Sequence, residues 1–193
     1  MEKIILASNS PRRKELLTQI GLKFKIIPSN YEEDMDLKLS HKELAKTLAY
    51  NKAKDVADKV NEGIIIGSDT FIVVGDKRIG KPKDANDAKR ILKNISGRTI
   101  TNYSGLSIID KKNKKVVKDV EVTWVKIKKL SEREIDEYIK TGEPLDKAGA
   151  FAIQGRGAIF IEKIDGCYSN VIGLPLYKLY INLLKIGVDI LKD

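Results

Sequence analysis

The sequence predicts an α/β fold, and three features carry that reading. A short isoleucine-rich run at the start leads through a polar loop into a helical pattern, and a triple isoleucine at Ile64 to Ile66 reads as a strand buried on both faces. Capped helical patterns separate these runs from further strand-like segments.

Lys3 to Ala7 is the first strand, and Ser8-Asn9-Ser10-Pro11 is the loop after it. Ser10 suits an N-cap and Pro11 the first helical position, while Leu16, Leu17 and Ile20 supply the apolar side of that helix. Phe24 to Pro28 reads as a second strand, and Ser40 with Glu43 forms a capping box opening a long helix to about Val60. After Ile64 to Ile66, Phe71 to Val74 turns at Gly75-Asp76 into Lys77 to Ile79, and Asp84 caps a helix that ends before Gly97. Arg98 to Lys129 reads as an antiparallel ribbon turning near Lys111 to Lys114, with a phase slip between Trp124 and Val125 of the kind a β-bulge makes. Ser131 and Glu134 form a second capping box for a helix that Gly142 ends. Phe151 to Ile153 and Ile159 to Ile164 read as strands, and Leu174 to Ile186 as an amphipathic closing helix. No repeat, low-complexity tract or flexible linker divides the chain, so residues 1–193 are expected to form one domain.

Composition bounds the function. A chain of 193 residues with 42% hydrophobic residues can bury a real core, and 36 Lys+Arg against 27 Asp+Glu give a net charge of +9 that attracts anions. No apolar run approaches the ~18 residues a bilayer crossing needs, so no membrane role is expected. Cys167 is the only cysteine and cannot form an intramolecular disulfide, and the N-terminal segment lacks a secretion-signal pattern. The expected location is the cytoplasm. His41 is the only histidine, which removes Ser-His-Asp triads, Cys-His pairs and multi-histidine metal sites. The chemistry is left to carboxylates, lysines, arginines, hydroxyls and an oxygen-liking metal.

Arg12 and Arg13 stand in the opening turn of the first helix, where the helix dipole already favours anions over cations. A bound anion resolves the conflict: backbone amides, Ser8, Ser10 and both guanidiniums can converge on phosphate. On the helix from Ser40, Lys52 falls near the middle of the apolar stripe made by Leu44, Leu48 and Val56. Such a lysine serves catalysis or binds phosphate, or else snorkels along its stem. Asp69 follows the triple isoleucine, where open α/β sheets place ligand sites, and a carboxylate there can hold Mg²⁺ or take a proton from water. Its bland alternative is a turn residue. Glu32, Glu33 and Asp34 make a second acidic cluster, and Lys81 sits on the stiff Gly80-Lys81-Pro82 turn.

Several ordered blocks resemble one family. Leu6-Ala7-Ser8-Asn9-Ser10-Pro11-Arg12-Arg13-Lys14-Glu15-Leu16-Leu17, then Gly67-Ser68-Asp69-Thr70, Gly80-Lys81-Pro82, Gly142-Glu143-Pro144, the stretch Asp146 to Gly155 and Gly166 to Leu176 look like the blocks of the Maf-like nucleoside triphosphate pyrophosphatases. Phosphate loops of the GxxxxGK[ST] type and GxGxxG are absent. Near Gly105 the chain carries Asn102 and Ser104-Gly105, where the family often has a histidine and Thr-Gly.

The resemblance implies a mixed twisted sheet with helices on both sides, two lobes around a cleft, as in the wider superfamily that includes inosine triphosphate pyrophosphatase. It makes Asp69 the catalytic acid residue, with Glu33, Lys52 and Lys81 as further catalytic groups, and gives phosphate binding to Ser8, Ser10, Arg12 and Arg13. Arg12, Thr70 and Gln154 resemble the branch acting on dTTP and UTP, with Thr70 and Gln154 facing the base. The implied reaction releases a nucleoside monophosphate and pyrophosphate, with Mg²⁺, or Mn²⁺, held by Asp69 and Glu33. A homodimer is a family-level expectation. The alternative class is a nucleotide-sensing or nucleic-acid-binding regulator of cell division. The basic ribbon tip has no interleaved aromatics, so a nucleic-acid partner is not expected.

Overall fold

A computed structural model describes residues 3–192 of the chain. Those residues divide into two units, one made of the chain up to Asp69, Ser104–Glu121 and from Gly173 onward, the other of Thr70–Tyr103 and Val122–Ile172.

In the first unit, β1 (Ile4–Leu6) pairs in parallel with β2 (Lys25–Ile26) and with the start of β3 (Ile64–Val74), Ile5 lying opposite Lys25 and Ile65. Parallel neighbours need long crossovers, and the segments containing α1 (Pro11–Gln19) and α2 (His41–Ala57) supply them. Ile5, Ala53, Val56, Ile65 and Ile109 pack into one apolar cluster. Two glycines face α2 where no side chain fits: a Cβ at Gly67 would lie 2.4 Å from the Ala49 carbonyl oxygen, and one at Gly105 would lie 1.8 Å from that of Ala45. The small residues on α2 and the glycines on the strands are two halves of the same close packing. α6 (Leu176–Lys185) completes this unit and buries Leu179, Asn182 and Leu183.

The second unit holds the later part of β3 and its hairpin partner β4 (Lys77–Ile79), with Val74 opposite Lys77 and Gly75 at a φ of +60° in the turn. α3 (Ala85–Ile95) starts at Asp84, whose side chain accepts from the Asp87 amide at 2.8 Å. α4 (Glu132–Lys140) carries the complete capping box between Ser131 and Glu134, and Gly142 follows it at a φ of +75°. Ile72, Leu92, Ile100, Val125, Ile135 and Phe160 belong to its core. β7 (Ile161–Asp165) runs antiparallel to β6 (Lys115–Ile127), and α5 (Tyr168–Ile172) closes the unit's last segment. β5 (Thr99–Asp110) joins β6 through a four-residue turn, which only an antiparallel pair can use.

The strands form one seven-stranded mixed sheet in the order β2-β1-β3-β5-β6-β7, with β4 on β3. The expected α/β class with a mixed sheet is thereby found. Several boundaries differ from expectation. The two runs read around Gly67 to Thr70 are a single eleven-residue strand, so Asp69 lies within a strand rather than in a turn beyond one. Against β7 the register runs without a break from Trp124 to Lys126, so the expected slip does not fall at Trp124 on that side. Thr123, Val125 and Ile127 alternate inward while Trp124 stays 48% exposed, and the irregularity sits against β7 at Lys126/Ile127. Phe151 to Ile153 is not a strand, because Gly149 and Ala150 take positive φ. Ile159 and Phe160 end a 3-10 turn, with β7 starting only at Ile161. The expected closing helix runs from Leu176 to Lys185, with a separate short helix, α5, ahead of it, and on its inner side Asn182 is buried while Leu184 is exposed. Ser40 caps α2 through the Glu43 amide at 3.2 Å, while the Glu43 side chain pairs with Lys46.

Candidate active site

Asp69 is a buried carboxylate on β3, 3% exposed, in a strand whose other polar residues are its neighbours Ser68 and Thr70. Lys52 reaches it from α2, its side chain 12% exposed, and donates through Nζ to Asp69 Oδ1 at 2.5 Å. The same ammonium donates to Glu33 Oε1, whose side chain is 44% exposed. Lysine between two carboxylates explains why a cation is tolerated in the middle of an apolar stripe. Asp69 Oδ2 is buried and has no hydrogen-bond partner among the described residues. A buried acceptor of that kind costs free energy unless something meets it in the working state.

The loop carrying Glu33 is fastened one helical turn beyond Lys52. Asp55 on α2 accepts from the Ser29 hydroxyl at 3.0 Å and the Asn30 amide at 2.8 Å, and Ser29 Oγ accepts from the Tyr31 amide at 3.1 Å. A hydrogen bond from Lys59 and then the Asn30 amide hold the Asp55 carboxyl below its ordinary range. Asp55 carries no sequence motif, and its role is visible only once the loop has been laid on the helix.

α1 contributes Arg13. Its Nε donates to the Gly173 carbonyl at 2.9 Å and its Nη1 to Ser8 Oγ at 3.1 Å, while the Ser10 amide donates to the same serine oxygen at 3.2 Å. Burial pushes the Arg13 guanidinium below its ordinary value, the charges of Asp69 and Glu33 oppose that, and Arg12 adds to it. Arg13 therefore senses both carboxylates bound to Lys52. Ser10 occupies the N-cap position in extended geometry, but its side chain makes no capping bond, and the first turn of α1 holds no acidic residue. The Ser68 hydroxyl lies 2.9 Å from the Gly105 carbonyl and 3.1 Å from that of Gly173, so Gly173 is shared by Ser68 and Arg13. Ser68 and Gly173 went unassigned in the sequence. Their signal was only that Ser68 precedes Asp69 and that Gly173 falls in the last family-like block.

Seven of the expected residues thus lie in the first unit: Ser8, Ser10, Arg12, Arg13, Glu33, Lys52 and Asp69. Thr70, Lys81 and Gln154 lie in the second. Thr70 is half-buried on β3, and Lys81 and Gln154 are exposed. The Gly149 amide donates to the Gly80 carbonyl at 3.0 Å, which ties the Lys81 turn to the segment leading to Gln154. Asn102 is buried and donates to the Asn170 carbonyl at 3.0 Å. Among the described residues no three or more His, Cys, Asp or Glu side chains cluster as a metal site. Nor is any helix among them long and apolar enough to cross a membrane.

Comparison with known proteins places this geometry in a lineage. The family model described as Maf-like protein matches residues 3–186. A protein named dTTP/UTP pyrophosphatase from Ruminiclostridium cellulolyticum is 48% identical over 193 residues, covering 100% of both chains. One of the same name from Thermoanaerobacter pseudethanolicus is 51% identical over 189 residues, covering 97% of this chain and 98% of its own. Another from Methanococcoides burtonii is 45% identical over 194 residues, covering 100% of both. A match that runs through the segments bearing Arg13, Lys52 and Asp69, with relatives matched end to end, leaves one conclusion: the chain belongs to the Maf-like protein family.

Proposed function

We propose that the protein hydrolyses dTTP and UTP between the α- and β-phosphates, releasing the nucleoside monophosphate and pyrophosphate. The observation that carries this reading is the set of full-length relatives named dTTP/UTP pyrophosphatase, at 45% to 51% identity. The Lys52, Asp69, Glu33 and Arg13 cluster supplies the chemistry. Water attacks the α-phosphorus, the bridging P–O bond to the β-phosphate breaks, and pyrophosphate leaves with the electron pair. Asp69 orients the attacking water by accepting its hydrogen bond. Arg12, Arg13, Lys52 and Lys81 stabilise charge on the departing pyrophosphate, together with Ser8, Ser10 and the first-turn amides of α1. No covalent intermediate is needed, because positioning and electrostatics do the work in phosphoryl transfer of this kind.

The donor set suits Mg²⁺ or Mn²⁺. Asp69 Oδ2 is the buried, partnerless oxygen, and Glu33 adds an exposed carboxylate. Mg²⁺ is commonly held by one or two carboxylates plus substrate phosphates rather than by an all-protein cage. When bound there, the ion neutralises phosphoryl oxygens. Thr70 and Gln154 offer both donors and acceptors, which suits the O2, N3–H and O4 edge of uracil or thymine. The reading places the enzyme in the cytoplasm with its substrates.

Hydrolysis of UTP in ¹⁸O-labelled water with Mg²⁺ tests it. Pyrophosphate as the first product, with the label in UMP, is the expected result. Orthophosphate first, or tight UTP binding without turnover, overturns it.

A further inference from the structure

A buried tyrosine hydroxyl and a carboxylate in the second unit share four hydrogen bonds, one to each other and three from amides of one stretch of chain. The Tyr138 hydroxyl donates to Glu143 Oε1 at 2.7 Å and accepts from the Ala152 amide at 3.1 Å. Glu143 Oε1 also accepts from the Gly157 amide at 3.0 Å, and Oε2 from the Arg156 amide at 2.9 Å. The three captured amides stand on either side of Gln154, at two residues before and two and three after. Within Phe151 to Ile153 the Ala152 amide is thus met by a side chain rather than by a ladder partner.

The approach is close enough to demand glycine. A Cβ at Gly155 would lie 2.4 Å from Glu143 Oε2, and one at Gly157 would lie 2.6 Å from the Tyr138 oxygen. The tyrosine ring is itself fixed, packed edge-on against Phe160 with centroids 5.0 Å apart. Burial and the Glu143 carboxylate both push the Tyr138 hydroxyl above its ordinary range, so it stays a donor. Burial alone would raise the Glu143 carboxyl, but the bonds from Gly157, Tyr138 and Arg156 outweigh it and hold the group low and ionised.

We propose that Tyr138 and Glu143 are positioning residues for base selection, acting through the segment Ala152 to Gly157 to hold Gln154 in one place. The proposal rests on the assignment of Gln154 to the base. A glutamine amide discriminates donors from acceptors only if its backbone cannot shift to accommodate the wrong edge. Gln154 is exposed and its side chain meets no hydrogen-bond partner among the described residues, so the rigidity is supplied by its neighbours.

The test uses the full-length enzyme with Tyr138→Phe, Glu143→Gln and Glu143→Ala, assayed on UTP and CTP beside the unaltered protein. Tyr138→Phe is expected to lower the UTP-to-CTP ratio of kcat/KM by about threefold or more, through a higher KM for UTP, with kcat within about twofold. Glu143→Gln keeps an acceptor for one amide and should retain more of the ratio than Glu143→Ala. Hydrogen exchange in the peptide spanning 150–158 should quicken in the same order. A folded variant with an unchanged ratio overturns the proposal, whether its melting temperature falls or not. If Glu143 variants fail to fold, Tyr138→Phe, which keeps the ring, decides alone. An unaltered protein that does not prefer UTP to CTP defeats the Gln154 assignment itself and this proposal with it. A preference that survives the variants defeats the proposal only.

Discussion

Burying a carboxylate with one oxygen unpartnered is costly, and at Asp69 the direct compensation comes from Lys52, with the charge of Arg13 behind it. The two residues should therefore respond differently to substitution. Asp69→Asn preserves shape and leaves Lys52 with Glu33, so stability should change by less than about 1 kcal/mol while kcat falls more than about tenfold. Thermal melts and turnover on one preparation check both halves. Lys52→Met fits the apolar stripe, and from the sequence it reads as harmless to the fold. In the structure it strands the Asp69 carboxylate, so a loss of about 3 kcal/mol is expected. Adding Asp69→Asn to Lys52→Met should return most of that loss, a coupling that a double-mutant cycle measures. The inward lysine and the carboxylate after the triple isoleucine were legible because each breaks a local rule. Their contact was not, since seventeen residues and a change from helix to strand separate them.

Elements were legible where local chemistry decides them and blurred where tertiary contacts do. Asp84, Ser131 with Glu134, and Gly75 mark their caps and turns as sequence rules expect. β3 was read as two pieces because Gly67-Ser68-Asp69 looks like a break, yet Gly67 is there to let α2 approach. Steric glycines and conformational glycines can be told apart by experiment. Gly105→Ala pushes a Cβ into the Ala45 backbone and should cost about 3 kcal/mol or more, whereas Gly21→Ala meets no atom within 4 Å and pays only for its φ of +71°, about 1 kcal/mol. Denaturant melts of the two variants give the comparison. The stretch after α4 makes a pH prediction. Glu143 has a folded-state pKa below its ordinary 4.5, so its contribution is complete above that value and is lost as pH falls through the folded one. Melting temperature measured from neutral to acid pH should fall less steeply for Glu143→Gln than for the unaltered protein.

At the scale of the molecule, the assigned roles divide along the two units. The residues given to phosphate and hydrolysis, apart from Lys81, belong to the first, and those given to the base, Thr70 and Gln154, belong to the second. Sequence could name both sets because their blocks follow one another in family order, but it could not show that they fall in different units, since β3 carries Asp69 and Thr70 side by side. The division has a kinetic consequence. Glu33→Gln removes charge next to Lys52, and should lower kcat/KM for UTP and CTP by the same factor, leaving their ratio untouched. Gln154→Glu replaces an amide donor with acceptors only, so it should compress a UTP preference of about tenfold to about threefold while changing the better substrate's kcat little. Residues with no shared partner contribute additively in free energy, so the double variant should show both effects multiplied, within about twofold. Measuring the four proteins on both nucleotides closes the cycle. A double variant whose UTP-to-CTP ratio departs from that of Gln154→Glu alone would mean that Glu33 also reads the base, and the separation of roles between the units would fail.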